Sequence, residues 1–272
     1  MKKFPVAIQV YSLRKEAEAN LYGTLKKIKA MGYAGVELAG TYGHTAAEIR
    51  EMCEDIGLVP LSAHVPYVDL VADPENTLQM YADIGCSYVV VPYLIPEHRP
   101  DSDQFGEVIK NIRMIGEIAT KMGLVLLYHN HDFEFMKLDG KYALDVLYDT
   151  VPAEYLQTEL DMCWVNVGGE DPAEYLLKYA GRSPVLHLKD FVGEKSDDMY
   201  ELIGIDKKMP PRPANFAFRP VGYGKQDFPK ILAAAEKADV QWVVVEQDNP
   251  TQENTPLECA EMSRNYLKTL GL

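Results

Sequence analysis

The sequence predicts one α/β domain, a (β/α)8 TIM barrel that spans residues 1–272. Eight short runs rich in β-branched residues alternate with longer amphipathic stretches, a pattern typical of a parallel sheet covered by helices. The length of 272 residues suits one barrel of this kind. Ionisable residues also gather where the later runs end, and the carboxyl ends of barrel strands meet at one mouth.

The order of the elements follows from these runs and from the residues that end them. The eight predicted strands cover residues 6–11, 35–38, 58–64, 88–92, 124–128, 156–161, 185–188 and 243–246. The eight predicted helices cover residues 21–31, 46–56, 75–84, 105–122, 143–149, 172–179, 228–238 and 256–270. Gly32 and Gly85 each follow a helical run, where a residue in the left-handed conformation commonly ends a helix. Asp73 followed by Pro74 predicts an N-cap and a first helical turn.

One connection is too long for an ordinary loop between a strand and a helix. Residues of about 192–226 form an insertion that includes the proline-rich segment 209–213, whereas such loops usually hold roughly two to six residues. Because these loops build the catalytic face of a barrel, we predict a lid or a partner contact. An insertion without a function is the other interpretation.

Composition limits the class of partner. The chain carries 27 Lys and Arg against 41 Asp and Glu, a formal net charge of −14. A surface of this charge repels nucleic acid and anionic membranes, so neither is expected as a partner. A homo-oligomer is compatible with the sequence.

The sequence also predicts a cytoplasmic chain with reduced cysteines. We find neither a signal peptide nor an apolar segment of membrane-spanning length. The four cysteines, Cys53, Cys86, Cys163 and Cys259, form no CxxC motif and are expected to be buried thiols.

The ionisable residues at the predicted strand ends indicate a metal site. They are His64, His129, His131, Asp132, Glu134, Glu159, Asp161, His187, Lys189, Asp190, Glu246 and Asp248, and they are joined by Asn130. Burying so many ionisable groups is costly unless they are paired or bound to metal. We therefore predict one divalent metal ion at the mouth of the barrel.

The predicted ligands come one from each of the last four strands: Glu134, Asp161, His187 and Glu246. Three carboxylates and one imidazole suit Mn²⁺, Mg²⁺, Co²⁺ or Zn²⁺ and leave room for water and substrate oxygens. Each residue alone could be a salt-bridge partner or a hydrogen-bonded histidine. Their convergence favours the metal site.

Six segments carry a resemblance to a known family: MGYAGVEL, SAH, YHNHDFEF, LDMCW, HLKD and VEQD, in this order along the chain. The chain resembles the sugar phosphate isomerase/epimerase family of xylose isomerase-like TIM barrels, which includes ketose 3-epimerases and inosose dehydratases. The resemblance implies that Asp161, His187 and Glu246 are metal ligands. The ketose 3-epimerase pattern has a metal-binding glutamate at the strand end, where this chain has Tyr128, and a second glutamate that acts on substrate and would align with Glu134. In the dehydratase-like pattern with His-x-His, the glutamate just downstream is the ligand and matches Glu134, which we assign as the fourth ligand.

The chemistry expected of such a site begins with removal of a proton next to a metal-polarised carbonyl. We predict Glu246, His131, Lys189 and Glu134 as catalytic residues. Glu246 would serve one face of the substrate, and His131 is a plausible base on the other because imidazole titrates near neutral pH. Lys189 could stabilise enediolate charge or form a salt bridge at the rim.

Five further residues are candidates for contact with a small carbohydrate substrate: Tyr11, His64, His129, Trp164 and Asp190. The histidines could bind hydroxyl groups, and the aromatic rings could cover the apolar face of a sugar. Core packing or a structural hydrogen bond is the alternative for each.

The sequence leaves several functions open. We predict a divalent-metal-dependent sugar isomerase or epimerase, and the alternative is a lyase acting on keto-sugars or keto-glycosides, similar to inosose dehydratase. A metal-dependent endonuclease for abasic sites is disfavoured by the net charge of −14 and the lack of a basic groove. A barrel without catalytic activity is disfavoured by the convergent ligand set.

Overall fold

The computed structural model describes residues 2–195, 216–251 and 253–272, which form a closed barrel of eight parallel strands. The strands are β1 (Val6–Gln9), β2 (Gly35–Leu38), β3 (Val59–His64), β4 (Tyr88–Val91), β5 (Val125–His129), β6 (Gln157–Asp161), β7 (Val185–Leu188) and β8 (Trp242–Val245). Each strand pairs with its neighbours in sequence, and β8 closes the barrel by pairing with β1. The predicted fold class is confirmed.

Helices cover the outside of the barrel. They are α1 (Arg14–Met31), α2 (Ala46–Ile56), α3 (Tyr67–Ala72), α4 (Pro74–Ile84), α5 (Phe105–Lys121), α6 (Ala143–Thr150), α7 (Met162–Val167), α8 (Pro172–Lys178), α9 (Phe228–Lys237) and α10 (Pro256–Thr269). The predicted helix ends are confirmed at Gly32 and Gly85, which take φ angles of 96° and 102°, and Asp73 caps α4. No helix in the described ranges has the length and apolar character needed to cross a membrane.

The barrel interior changes from apolar to polar along the strands. Its apolar base consists of Ala7, Leu61, Val90, Leu127, Val185 and Val244. Because side chains alternate along a strand, the next inward position lies two residues further on. Those positions hold His129 after Leu127, His187 after Val185, and Glu246 just beyond β8, all of them buried. The carboxyl-terminal end of the barrel is therefore lined by ionisable groups.

A short antiparallel hairpin brackets the predicted insertion. Asp190–Val192 pairs with Ala217–Arg219 directly after β7. The proline-rich segment 209–213 and the rest of 196–215 lie outside the described residues. The hairpin fixes where the two ends of the insertion leave the barrel.

The cysteines agree with the expectation from composition. All four are free thiols and all are buried. Burial raises the pKa of the Cys53 thiol to about 11 and that of Cys86 to about 12. These two thiols stay protonated and act as small apolar side chains.

Candidate metal centre

Four side chains at the ends of β5 to β8 bring ligand atoms within 4.8 Å of one another: His129, Asp161, His187 and Glu246. We call these residues the outer group. All four are buried. Three of them, Asp161, His187 and Glu246, are ligands predicted from the sequence. His187 Nδ1 lies 3.1 Å from Glu246 Oε2 within this group.

The ring of His129 is oriented by the backbone of the neighbouring strand. Its Nδ1 lies 3.2 Å from the carbonyl oxygen of Pro92, which can only accept a hydrogen bond. Nδ1 therefore carries a hydrogen, and Nε2 is the ring nitrogen that faces Asp161 Oδ2 at 3.4 Å and Glu246 Oε2 at 3.6 Å. Metal-binding histidines commonly show this arrangement.

The carboxylate of Asp161 has two separate roles. Its Oδ1 accepts a hydrogen bond of 2.9 Å from the backbone N–H of Trp164 and so caps α7. Its Oδ2 makes no hydrogen bond among residues 2–195, 216–251 and 253–272, although the ammonium nitrogen of Lys189 lies 3.4 Å away, and His129 Nε2 makes none there either. Buried polar atoms without hydrogen bonds are costly, and a divalent cation between these two atoms would satisfy both. The residues of the outer group thus fit a metal ion.

The structure does not bring Glu134 into the outer group. Its carboxylate accepts hydrogen bonds from the Tyr128 hydroxyl at 2.6 Å and from the backbone N–H of His131 at 2.8 Å. Burial raises the pKa of Glu134 to about 7, although these donors oppose the shift. Glu134 holds the turn after β5, and His129 occupies the fourth position of the outer group.

A second group of possible ligands shares His187. It contains Glu37, His64, Glu159 and His187, from β2, β3, β6 and β7. We call these residues the inner group. His187 Nε2 lies 2.7 Å from Glu37 Oε1 and 2.9 Å from Glu159 Oε1. His64 Nε2 lies 3.0 Å from Glu37 Oε1 and 3.4 Å from Glu159 Oε2.

The two carboxylates of the inner group differ in their surroundings. Glu37 accepts hydrogen bonds from Gln9 Nε2 at 2.9 Å and from Ser62 Oγ at 2.7 Å. Neither oxygen of Glu159 accepts a hydrogen bond within the described part of the chain, and the side chain is fully buried. Burial lowers the pKa of His64, but the charge of Glu37 and the nearby Glu159 raise it to about 10.

Lys189 supplies a positive charge at the edge of the outer group. Its Nζ lies 2.9 Å from both Glu246 Oε2 and Asp248 Oδ2, and 3.4 Å from Asp161 Oδ2. Burial lowers the pKa of Lys189, but the three carboxylates raise it more, to well above its usual value. Lys189 is therefore a protonated ammonium group.

His131 has the opposite electrostatic setting. Its ring stacks parallel to Phe133, with centroids 5.4 Å apart, and lies 5.1 Å from the Trp164 ring. Burial, together with the positive charges of His129 and Lys189, lowers the pKa of His131 well below its usual value. His131 is therefore a neutral imidazole near neutral pH.

A cavity of about 530 Å³ opens above these groups. It is lined by Tyr11, Ala39, Gly40, Thr41, His64, Pro66, Asp69, Met80, Tyr81, Pro92, Tyr93, His129, His131, Lys189, Glu246 and Asp248. Its volume lies in the range of roughly 300 to 1,000 Å³ that is typical of small-ligand sites. Three of the five predicted substrate contacts, Tyr11, His64 and His129, line this cavity.

The other two predicted contacts lie outside the lining. Trp164 is fully buried and packs against Phe216 and Phe218. Asp190 accepts backbone hydrogen bonds from Phe191 and, across the hairpin, from residues 222, 224 and 226. Asp190 organises the chain that follows the insertion.

Two members of the inner group had no assigned role in the sequence analysis, Glu37 and Glu159. Glu159 precedes Asp161 by two residues on β6, so the two side chains point to the same side of the strand. That spacing is a signal visible in the sequence. Glu37 has no comparable signal, because its place in the group depends on the closure of the barrel.

The closed barrel, with clusters of His, Asp and Glu at its strand ends, is typical of a xylose isomerase-like class of protein. The family described as xylose isomerase-like TIM barrel matches residues 25–270. The chain belongs to this family.

Named relatives share this similarity over most of the chain. The inosose dehydratase of Geobacillus kaustophilus (strain HTA426) is 24% identical over 281 residues, which cover 90% of this chain and 86% of the relative. The rhizopine catabolism protein MocC of Rhizobium meliloti is 23% identical and covers 91% of this chain and 80% of its own length. A crystal structure of a sugar phosphate isomerase/epimerase from Parabacteroides distasonis ATCC 8503 superposes with a TM-score of 0.79 at 22% identity, over 98% of this chain and 94% of that one.

Proposed function

We propose that this protein is a divalent-metal-dependent lyase that removes a proton next to the carbonyl of a small polyhydroxylated ketone and expels a β-oxygen substituent. One observation carries the proposal. The outer group borders a cavity that also presents a neutral imidazole, His131, and an ammonium group, Lys189. A base and an acid beside a metal-type ligand set are the parts that this elimination needs.

The outer group would hold the ion through His129, Asp161, His187 and Glu246. When bound, a divalent ion polarises a carbonyl oxygen and stabilises the negative charge that develops there. The two carboxylates of the outer group balance the charge of one such ion. The Pro92 carbonyl keeps His129 in the tautomer required of a ligand.

His131 would accept the proton from the carbon next to the carbonyl. A general base must be unprotonated at the working pH, and the lowered pKa of His131 meets this condition. Its ring is held between Phe133 and Trp164, so its direction is fixed. Lys189 would donate a proton to the departing oxygen, because it lines the same cavity and stays protonated.

The environment of Glu246 favours elimination over epimerisation by two bases. An epimerising pair needs a second group that takes and returns protons on the other face of the carbon. Burial opposes ionisation of Glu246, but Lys189, His129 and His187 outweigh it and hold the pKa of Glu246 well below its usual value. Glu246 is thus a weak base. The inosose dehydratase named among the relatives also supports elimination.

Asp248 supports a second candidate function, a sugar isomerase or epimerase. This carboxylate lines the cavity, and burial raises its pKa to about 6 although Lys189 opposes the shift. A carboxyl group that titrates near neutral pH can both accept and return a proton. With His131 it could form the pair of bases that epimerisation requires. Both candidate functions share the first proton transfer.

Deuterium exchange separates the two functions. The Mn²⁺-loaded protein is incubated in D₂O with a panel of ketoses, 3-keto-glucosides and keto-inositols, and the products are followed by NMR and mass spectrometry. Elimination yields a product that has lost water or an alcohol, whereas epimerisation yields an isomer that has gained deuterium. We expect His131→Asn to abolish proton exchange and Lys189→Met to slow elimination more than exchange. A panel without any exchange or elimination contradicts both functions.

We also propose that the substrate is a small carbohydrate. The net charge of −14 supports a small carbohydrate rather than nucleic acid as the substrate. The size of the cavity supports the same conclusion. DNA binding that weakens steeply with added salt would contradict this assignment.

A further inference from the structure

We infer that the inner group, Glu37, His64, Glu159 and His187, is a second divalent-cation site below the first. The inference concerns ion binding and goes beyond the proposed reaction. Two carboxylates and two imidazoles are ligands for ions such as Zn²⁺, Mn²⁺ or Co²⁺. Each residue comes from a different strand of the barrel, so the site is held by the framework of the fold.

The positions of the ligand atoms support one shared centre. Each of the two Nε2 atoms, of His64 and His187, lies beside oxygens of both Glu37 and Glu159, at separations between 2.7 and 3.4 Å. When an ion is bound at roughly 2.0 to 2.2 Å, neighbouring ligand atoms lie about 3 Å apart. Nitrogen and oxygen atoms therefore alternate around a common centre at the spacing of a metal site.

Hydrogen bonds alone do not satisfy these atoms. Each Nε2 carries at most one hydrogen, yet each faces two carboxylates. The Nε2 of His187 makes its hydrogen bond to Glu37. Glu159 keeps both oxygens without a hydrogen-bond donor among residues 2–195, 216–251 and 253–272, while the side chain is 0% exposed. A bound cation supplies the partner that this carboxylate needs.

Charge leads to the same conclusion. The inner group brings two buried carboxylates together beside two imidazoles, and one divalent ion would balance the charge of these carboxylates with both histidines uncharged.

His187 belongs to both groups through different nitrogens. Its Nδ1 faces Glu246 in the outer group, and its Nε2 faces the inner group. If both sites were filled, His187 would hold one ion with each ring nitrogen and would have to release its last ring proton to solvent, because metal binding displaces protons from ligands. The two ions would then bind with one shared ligand and three further ligands each.

Metal stoichiometry tests the inference. The full-length protein is stripped with chelator and dialysed against excess Mn²⁺, and bound metal is measured by plasma mass spectrometry. We expect two ions per chain in the wild-type protein. Glu159→Gln should keep the outer ion only, Asp161→Asn the inner ion only, and Glu134→Gln, a buried carboxylate outside both groups, should keep two.

Three outcomes would overturn the inference: one ion per wild-type chain at saturation, two ions retained by Glu159→Gln, or loss of both ions from folded Asp161→Asn. Anomalous diffraction from wild-type crystals at the manganese edge gives an answer that needs no variant. A peak among Glu37, His64 and Glu159 supports the second site, and a single peak at the outer group contradicts it. If the protein exchanged substrate protons for deuterium while binding only one ion per chain, the proposed reaction would stand and the second site would be wrong. The two proposals can therefore fail separately.

Discussion

Glu134 shows what burial does to a single carboxyl group. It is 1% exposed and keeps two hydrogen-bond donors, Tyr128 and the backbone of His131. Burial nevertheless raises its pKa from 4.5 to about 7. The folded protein therefore binds this proton more tightly than the unfolded chain does. Ionisation of Glu134 destabilises the fold as the pH rises from about 4.5 to 7 and by a constant amount above that.

We predict that Glu134→Gln stabilises the protein at alkaline pH. Glutamine resembles the protonated acid, since its amide can donate to Tyr128 while its oxygen accepts from His131. The gain in unfolding free energy should be on the order of 2 kcal/mol at about pH 8 and should vanish below about pH 5. Urea denaturation at several pH values measures it. An advantage that is the same at every pH would show that Glu134 does not titrate in this range.

The sequence predicted Glu134 as the fourth member of the metal site, whereas the structure has His129 in the outer group. Asp161, His187 and Glu246 could be grouped from sequence because each ends a barrel strand. Past the end of β5, however, the conformation of the turn decides which side chain faces inward. That conformation depends on contacts such as the hydrogen bond between Glu134 and Tyr128, which a pattern of residue types does not reveal. The Pro92 carbonyl that orients His129 was equally hidden.

At the scale of elements, α5 shows how closely a helix can approach the chain beside it. Gly116 lies in the buried face of α5, and a Cβ atom added there would overlap the backbone carbonyl of Tyr155. Gly106 lies in the first turn of the same helix with nothing within 4 Å of the added atom. A close backbone contact therefore requires glycine at position 116, whereas no such contact requires it at position 106.

We predict opposite effects for alanine at these two positions. Gly116→Ala should destabilise the protein by about 1 to 3 kcal/mol, because backbone atoms have to move apart. Gly106→Ala should be neutral or stabilise by up to about 1 kcal/mol, as alanine favours helix. Thermal unfolding of both variants measures this. A stabilised Gly116→Ala protein would mean that α5 can shift without cost.

The chain after the insertion is held by Asp190, and we predict that Asp190→Asn loosens it. The carboxylate accepts from backbone N–H groups that include those of Gly222 and Gly224. An asparagine nitrogen would face donors and leave some of them unpaired, at a cost of about 1 to 3 kcal/mol. Amide hydrogen exchange at residues 222–226 should speed up.

A neighbouring position provides the control for this prediction. Asp227 caps α9 by accepting from the Lys230 N–H at 3.0 Å, and asparagine is an equally good capping residue. Exchange at residues 222–226 should stay slow in Asp227→Asn. Equal exchange in Asp190→Asn and the wild-type protein would contradict the role assigned to Asp190.

Prediction of the elements was accurate where the sequence pattern was long. The barrel strands were placed to within about two residues at most ends. The predicted start of the first helix at residue 21 coincides with a break at Asn20, where φ is −165° and ψ is 90°. The short helices α3 and α7 were missed, since six residues make less than two turns and show no clear period. The Asp161 side chain that caps α7 is also a member of the outer group.

For the whole molecule, ion binding should stabilise the complete barrel. The outer group joins four strands, from β5 to β8, and its atoms come together only in the folded state. A ligand that binds only the folded state adds about 2.7 kcal/mol at a concentration 100 times its Kd. We therefore predict that chelator-stripped protein gains several degrees in Tm when Mn²⁺ or Zn²⁺ is added.

Two variants test this prediction, one at the surface and one in the outer group. Asp227→Asn should show the same rise in Tm as the wild-type protein. Asp161→Asn should show a smaller rise, because it lacks an oxygen of the outer group. An unchanged Tm of the wild-type protein at millimolar metal would argue against ion binding in the folded barrel.

The global architecture could be predicted because it rests on a repeated signal. Eight alternations of strand and helix specify one closed barrel, and strand ends then meet at one mouth. The inner group could not be predicted, since Glu37 and Glu159 meet only when β2 and β6 face each other across the closed barrel. Such contacts depend on closure rather than on local sequence.

The hairpin after β7 has a consequence for how proteins of this design can diversify. Asp190–Val192 and Ala217–Arg219 bring both ends of the insertion together on the barrel. The entropy of closing a loop changes slowly with its length, by about 0.6 kcal/mol for each doubling. Evolution or protein design could therefore lengthen, shorten or replace the intervening segment with little effect on the stability of the barrel. A segment that binds a new ligand could be introduced at this position.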